Sequence, residues 1–230
     1  MKYQIKEIKN FMERWAKDEY QLSWDNSGSQ VEFKGDTGSV VLAMDVTDKV
    51  IDMAIKMDAK LIISHHPMFF SGSKNIIEGT YLGDNIIKLI KNNISVFSYH
   101  TSMDIAEDGV NDTLFEKLNL KNKLQVNKIK YYGQEKKKIK KVTILGGSGS
   151  DFIKEAKEAG AEAYITSDIK YHDGQRAYEE DLILVDVGHF YSERIILPKI
   201  KNRLQENFKD LDFYIQEESS FELDIWVIQW

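Results

Sequence analysis

The chain has 230 residues, 42% hydrophobic and 30% charged, the balance of a soluble globular protein with room for one large domain or two small lobes sharing a core. Its net charge of −6, from 31 basic and 37 acidic residues, gives no support to generic nucleic-acid binding, which needs basic patches. It has no cysteine, which rules out disulfides and thiolate metal sites, and no run nears the ~20 apolar residues of a membrane span, so it reads as cytoplasmic, with a cysteine-free secreted protein as the alternative.

Residues 2–17 carry apolar side chains at Tyr3, Ile5, Ile8, Phe11, Met12 and Trp15, the spacing of an amphipathic helix. W-D-N-S-G-S at 24–29 is loop chemistry, in which Trp24, Asp25 and Asn26 can simply cap and pack. Residues 39–46 read as a buried strand. Thr47 can cap the following helix, whose apolar residues are Val50, Ile51, Ala54 and Ile55. Residues 61–63 form the next strand and run into His65. A helix near 81–92 leads to a strand at 94–99, which runs into His100 and Asp104. D-G-V-N-D at 108–112 opens a helix over 111–118.

Residues 124–141 are polar, with Q-E-K-K-K-I-K-K at 134–141, and read as a solvated turn or hairpin. The pattern then restarts. A strand at 142–145 is followed by G-G-S-G and a helix at 150–159. A strand at 163–165 leads to T-S-D-I-K-Y-H, and one at 182–187 leads to G-H-F-Y-S-E. A helix from about 190 to 206 and a late strand at 213–215 complete the chain. Strands alternating with long helices predict an α/β fold with largely parallel sheets. The rhythm suggests one compact unit of two similar α/β lobes, about 1–123 and about 142–230, joined by the polar connection at 124–141. Ligands of open parallel sheets sit beyond the carboxyl ends of the strands, so these strand ends are expected to face a shared metal-binding cleft.

All five histidines, at 65, 66, 100, 172 and 189, fall in such post-strand segments. Without thiolates a metal must take imidazole and oxygen ligands, which suits Zn, Mn, Fe, Co or Ni. His65 and His66 are adjacent, so a regular strand would send them to opposite faces. The strand must therefore end there, helped by Pro67, and the two imidazoles could each bind a different ion. A loop in which both only hydrogen-bond to backbone is the alternative. His189 and Glu193 are four apart and share a face if they open a helix. Asp104 has two oxygens and can bridge two cations, or it can cap a helix. Asp168 can cap the next helix, with His172 exposed on its first turn; both are candidates for substrate contact or for supporting the ligands. G-G-S-G at 146–149 can cradle an anion with backbone N–H groups or form a tight turn.

W-D-N-S-G, V-L-A-M-D-V-T, L-I-I-S-H-H-P, H-T-S-M-D, G-V-N-D, G-G-S-G, T-S-D-I-K-Y-H and D-V-G-H-F-Y-S-E occur in the order found in the NGG-interacting-factor-three-like family, often called GTP cyclohydrolase 1 type 2. By motif the resemblance covers roughly residues 24–193. It implies a dinuclear centre between two α/β lobes, with His65, His66, Asp104, His189 and Glu193 as ligands and His100 beside them. Many relatives carry a domain inserted between the lobes, and the short connection here resembles the form without it. The resemblance also implies a homohexamer, a trimer of dimers. Motifs that usually read G-L-Q and T-G-D stand here as G-S-Q at 28–30 and T-S-D at 166–168, which bears on substrate contact and not on the ligands.

The expectation from residues and resemblance together is a metal-dependent hydrolase with two divalent ions, in which His100 or His172 moves protons. GTP cyclohydrolase chemistry begins with attack of water on C8 of guanine, opens the ring and releases formate. The same centre could hydrolyse a phosphoester or another cyclic amide. The alternative from a different class is a non-enzymatic protein that stores or hands over iron or binds a regulatory partner.

Overall fold

Periodicity and burial agree along the first hundred residues of the computed structural model, which describes residues 2–118, 129–133, 138–216 and 219. A two-residue strand β1 (Tyr3–Gln4) enters helix α1 (Ile5–Trp15), which buries Ile5, Ile8, Met12 and Trp15, spaced three and four apart. Strands β2 (Gly28–Val31) and β3 (Asp36–Thr37) follow; neither carries an apolar run that announces it. Then come β4 (Ser39–Ala43), α2 (Asp48–Lys56), β5 (Leu61–Ser64), α3 (Tyr81–Asn92) and β6 (Ser95–Ser98). Every residue of β4, β5 and β6 is buried, as in parallel strands covered on both faces. Thr47 caps α2 as its position predicts, its hydroxyl accepting from the Val50 N–H at 3.4 Å. Helices α4 (Thr101–Ile105) and α5 (Val110–Leu118) close this stretch.

The later elements are β7 (Lys130–Tyr132), β8 (Val142–Ser148), α6 (Ile153–Glu158), β9 (Ala163–Ser167), α7 (Tyr171–Glu179), β10 (Ile183–Asp186), α8 (His189–Glu193), α9 (Ile196–Asn207) and β11 (Asp212–Ile215). The single helix expected over about 190 to 206 is thus two. Pro198 explains the break: its ring would collide with the carbonyl of Arg194 in a continuous helix, but is tolerated in the first turn of α9. Of the polar connection at 124–141, residues 124–128 and 134–137 lie outside the described residues, and β7 falls between them.

Two sheets organise these strands. One has the order β11-β4-β5-β6-β2, with β11, β4, β5 and β6 mutually parallel and β2 antiparallel at the edge. The other has the order β7-β10-β9-β8, with β8, β9 and β10 parallel and β7 antiparallel at the edge. Each carries its own apolar cluster: Val41, Ile51, Ile62, Leu89 and Val96 in the first, Ile153, Tyr164, Ala177 and Leu184 in the second.

The chain divides into two compact units, one of Met1–Met103 with Leu197–Trp230 and the other Asp104–Ile196. These bounds differ from the expected 1–123 and 142–230 for two reasons. The tail returns to the first sheet, where Phe213 of β11 lies in register with Val40 of β4. Helix α5 belongs with the second sheet, its Asn111 side chain accepting from the Gly146 N–H at 2.9 Å. Among the described residues no helix is long and apolar enough to cross a membrane.

Ile62 is fully buried on β5, so Ile62→Ala should cost about 2–5 kcal/mol of stability in denaturant titration. Because each sheet has an apolar cluster of its own, chelation should leave the far-UV circular dichroism signal in place; its loss on mild chelation would show that a metal holds the fold together.

Candidate metal centre

In the first unit the site begins with strand register. Ser64 and Ser98, the last residues of β5 and β6, are aligned, and their hydroxyls meet at 2.7 Å. The residues that follow therefore emerge side by side. Backbone pairing runs on past the strand, with His65 N–H to Ala43 O at 3.1 Å and His66 N–H to Met44 O at 2.9 Å. The Ser64 hydroxyl then donates to the His66 carbonyl at 2.9 Å, and Pro67 follows. This turn lets adjacent histidines face the same way, their ring centroids 5.1 Å apart. His100 lies 5.2 Å from His65 and 5.5 Å from His66 by ring centroid. His65, His66 and His100 each offer one ligand atom within 4.8 Å of the others, a group that could hold a metal ion.

The Nδ1 contacts decide what these rings present. His65 Nδ1 lies 3.0 Å from the Tyr99 carbonyl, His66 Nδ1 2.8 Å from Asp45 Oδ1, and His100 Nδ1 2.8 Å from Asp25 Oδ1. A carbonyl and two carboxylates can only accept, so each Nδ1 carries the proton, and Nε2 is the nitrogen of each ring able to coordinate a metal. The donor set therefore fits a divalent ion of the imidazole-binding kind. Asp25 is more than a loop residue: its side chain is fully buried and also accepts from the Thr101 N–H at 3.1 Å and the Ser27 hydroxyl at 2.9 Å. Burial alone would raise its carboxyl. Hydrogen bonds from His100, from Thr101 and from the Asn26 N–H outweigh that and hold it well below the usual carboxylate range.

In the second unit α8 puts His189 and Glu193 one turn apart, with His189 Nε2 3.1 Å from Glu193 Oε2. Here too Nδ1 is taken, by Asp168 Oδ2 at 2.8 Å. Asp168 thus takes the supporting role open to it, holding the ring of a candidate ligand, and does not cap α7. Its backbone is left-handed (φ 56°), and the start of α7 is instead satisfied by Asp173, which accepts from the Lys170 N–H at 3.0 Å. The glycine-rich turn is no anion cradle either. β8 runs through it, and the N–H groups of Gly146 and Gly147 go to Asn111 Oδ1 and Ser192 Oγ, both at 2.9 Å. What the turn provides is space. A Cβ on Gly147 would fall 1.9 Å from Glu193 Oε1, and one on Gly149 would fall 2.1 Å from Thr166 Oγ1 and 2.5 Å from the Tyr164 hydroxyl. Burial pushes the Tyr164 phenol up to about 12, so it stays protonated and donates to the Gly149 carbonyl at 2.9 Å.

Asp104 is the fourth residue of α4, so it caps nothing at that helix's start; its carbonyl accepts from Asn111 Nδ2 at 3.0 Å. His172 is exposed on the first turn of α7, where Nδ1 makes a long 3.5 Å contact with Gln175 Oε1. Asp45 and Asn111 gain site roles that the sequence alone does not suggest, and Gly147 one other than cradling an anion or turning the chain. Asp45 follows β4 as His65 follows β5, so the same attention to post-strand residues would have found it. Nothing local marks Asn111 or Gly147, whose partners lie 35 and 45 residues away.

The fold and its donor groups define an α/β protein with histidine and carboxylate sets that could hold metal. The sequence profile of Duf34/NIF3 (NGG1p interacting factor 3) matches residues 3–124 and 119–221, and the chain belongs to this family. A "GTP cyclohydrolase 1 type 2 homolog" of Clostridium perfringens is 32% identical over 94% of this chain and 97% of its own. One of the same name from Clostridium acetobutylicum is 31% identical over 84% of this chain and 86% of its own. Among solved structures, a Bacillus cereus protein related to NIF3 superposes with a TM-score of 0.85 at 20% identity, over 99% of each chain. Reduced HcgD from Methanocaldococcus jannaschii gives 0.82 at 25% identity, over 94% of this chain and 98% of its own.

Asp45→Ala removes the acceptor that fixes the His66 ring and should weaken metal binding about 10–100-fold in a competitive chelator titration. Gly147→Ala should do the same by driving into Glu193. Gly160→Ala is the control: it has a similar left-handed backbone (φ 80° against 67°), but its Cβ would meet nothing nearer than Lys141 Nζ at 3.7 Å. If both glycine variants lose metal equally, backbone strain and not the carboxylate seat is responsible.

Proposed function

We propose that the chain is a metal-dependent hydrolase that holds two divalent ions, with His65, His66, Asp104, His189 and Glu193 as ligands. The observation that carries this reading is the shared anchoring of four imidazoles by Nδ1, which leaves Nε2 of each ring as the nitrogen that can coordinate an ion or move a proton. Family membership and the names of the relatives support a reaction of the GTP cyclohydrolase kind. Divalent ions held there would supply Lewis acidity and a water of lowered pKa.

The chain's own residues have separate tasks in this reading. Asp25 holds His100 upright beside His65 and His66, and His100 then receives or delivers a proton at Nε2. Asp45 and Asp168 fix the rings of His66 and His189. Glu193, buried beside His189, supplies the negative charge that offsets a cation. His172 stands in solvent on α7 and would exchange protons with bulk water. Assembly as a homohexamer, a trimer of dimers, goes with this reading by family kinship, and light scattering tests it.

Three variants measured on the same preparations for metal ratio and for hydrolysis of nucleotides and phosphoesters test the reading. Glu193→Gln keeps the shape but removes charge, and should lower metal content and turnover far more than stability. Asp104→Asn should act alike, and more severely if this carboxylate bridges both ions. His172→Ala should keep full metal and lose about 10²–10⁴-fold in rate if it relays protons. Full metal and full turnover in Glu193→Gln would remove Glu193 from the ligand set. Bound metal with no hydrolysis of any substrate tested would move the protein to the iron storage or chaperone class.

A further inference from the structure

Two large aromatic side chains stand exposed against His100. Trp24 is 59% exposed and Phe70 57% exposed. Their ring centroids lie 5.8 Å and 5.6 Å from that of His100, with interplanar angles of 71° and 84°. Single exposed aromatics are ordinary on protein surfaces and mean little. These two differ because they converge on one imidazole of the histidine cluster from separate loops, and because those loops are tied to each other. Asn26 Nδ2 donates to the Phe69 carbonyl at 2.6 Å, the Phe69 N–H donates to Gln30 Oε1 at 3.1 Å, and Gln30 Nε2 donates to the Asn26 carbonyl at 2.7 Å. Buried Asp25, next to Trp24, anchors the first loop again through His100 and Thr101. The backbone beneath both rings is thus fixed before any ligand arrives, which lowers the ordering cost of binding.

We propose that Trp24 and Phe70 form the recognition element for a planar heteroaromatic ring, held beside His100. This rests on the reading that the histidine cluster is the reaction centre. The chemistry follows from the surfaces on offer. Exposed ring faces stack on another flat π-system whatever its exact substituents. The side chains known to surround His100 are aromatic, imidazole and carboxylate, a setting that favours a flat, uncharged or weakly basic ring over a phosphoryl group. The hydrogen-bonded loops explain why W-D-N-S-G-S-Q is a unit: Trp24 supplies the stacking surface, Asp25 the histidine anchor, and Asn26 with Gln30 the tie to the Phe69–Phe70 loop.

The test measures binding and not turnover. Guanosine, cytidine and nicotinamide are titrated calorimetrically into metal-loaded protein, with ribose 5-phosphate as a probe lacking an aromatic ring. At least one ring compound should bind, and Trp24→Ala and Phe70→Ala should each weaken it about ten-fold or more. Trp24→Phe should retain most of the affinity, and the metal-to-protein ratio should be unchanged in all three variants. Both residues are mostly exposed, so the variants should also keep wild-type denaturant midpoints. Binding by none of the three rings, or equal binding to wild type and both alanine variants, overturns the proposal. So does ribose 5-phosphate binding that falls in the variants as far as ring binding does. A wild type that takes up no metal yet binds a ring through Trp24 and Phe70 would sink the metal reading and leave the stacking site standing. Full metal with no dependence on either aromatic residue would sink the stacking site alone.

Discussion

An imidazole has two nitrogens and, when neutral, one proton, and in this chain the protein decides where that proton sits. Four times an oxygen that can only accept is set against Nδ1: a backbone carbonyl for His65, and the carboxylates of Asp45, Asp25 and Asp168 for His66, His100 and His189. Much else serves this arrangement. Asp25 is buried despite its charge, Asp168 takes a left-handed backbone, and the Ser64 hydroxyl turns the chain between two adjacent histidines. A carboxylate on one ring nitrogen also makes the other a better electron donor, so orientation and basicity are set together.

Parallel sheets are what make this economical. Strands β4, β5 and β6 end in register, and the residues just past their ends, Asp45, His65, His66 and His100, become neighbours although they are spread over more than fifty positions. The second sheet repeats the device, with Asp168 beyond β9 and His189 beyond β10. Asp45 and Asp168 lie just past strand ends, where the chain is already leaving the apolar layer. Both stay partly exposed, whereas Asp25, in the loop before β2, is fully buried and is offset by several donors.

How far the sequence discloses this depends on how local the cause is. Strands β4, β5 and β6 are continuous apolar runs, and α2 and α3 have helical periodicity with a threonine at each start, so they are legible directly. The pairing of His189 with Glu193 is legible because helix geometry alone brings residues four apart together. The contact of Asp25 with His100 spans 75 residues, and no pattern within the W-D-N segment distinguishes an anchor from a loop cap. The edge strands β2 and β7 were hidden for a related reason. Their residues are largely exposed or half-buried, so pairing with a neighbour and not hydrophobicity makes them strands. Of the two roles open to G-G-S-G, the anion cradle falls away because the Gly146 and Gly147 N–H groups are already taken, and what matters at Gly147 and Gly149 is the side chain each lacks.

The return of β11 to the first sheet has a consequence for the order in which the chain can fold. Strand β4 pairs with β5 across about twenty residues, but with β11 only after the whole of Asp104–Ile196 has been made. During synthesis the outer edge of β4 therefore waits, apolar and unpaired, for a partner more than 170 positions downstream. The second unit, by contrast, is contiguous, and can complete its sheet as soon as it leaves the ribosome. Folding on the ribosome should then run out of sequence order, with the middle of the chain finishing first and the N-terminal sheet last, when its closing strand arrives.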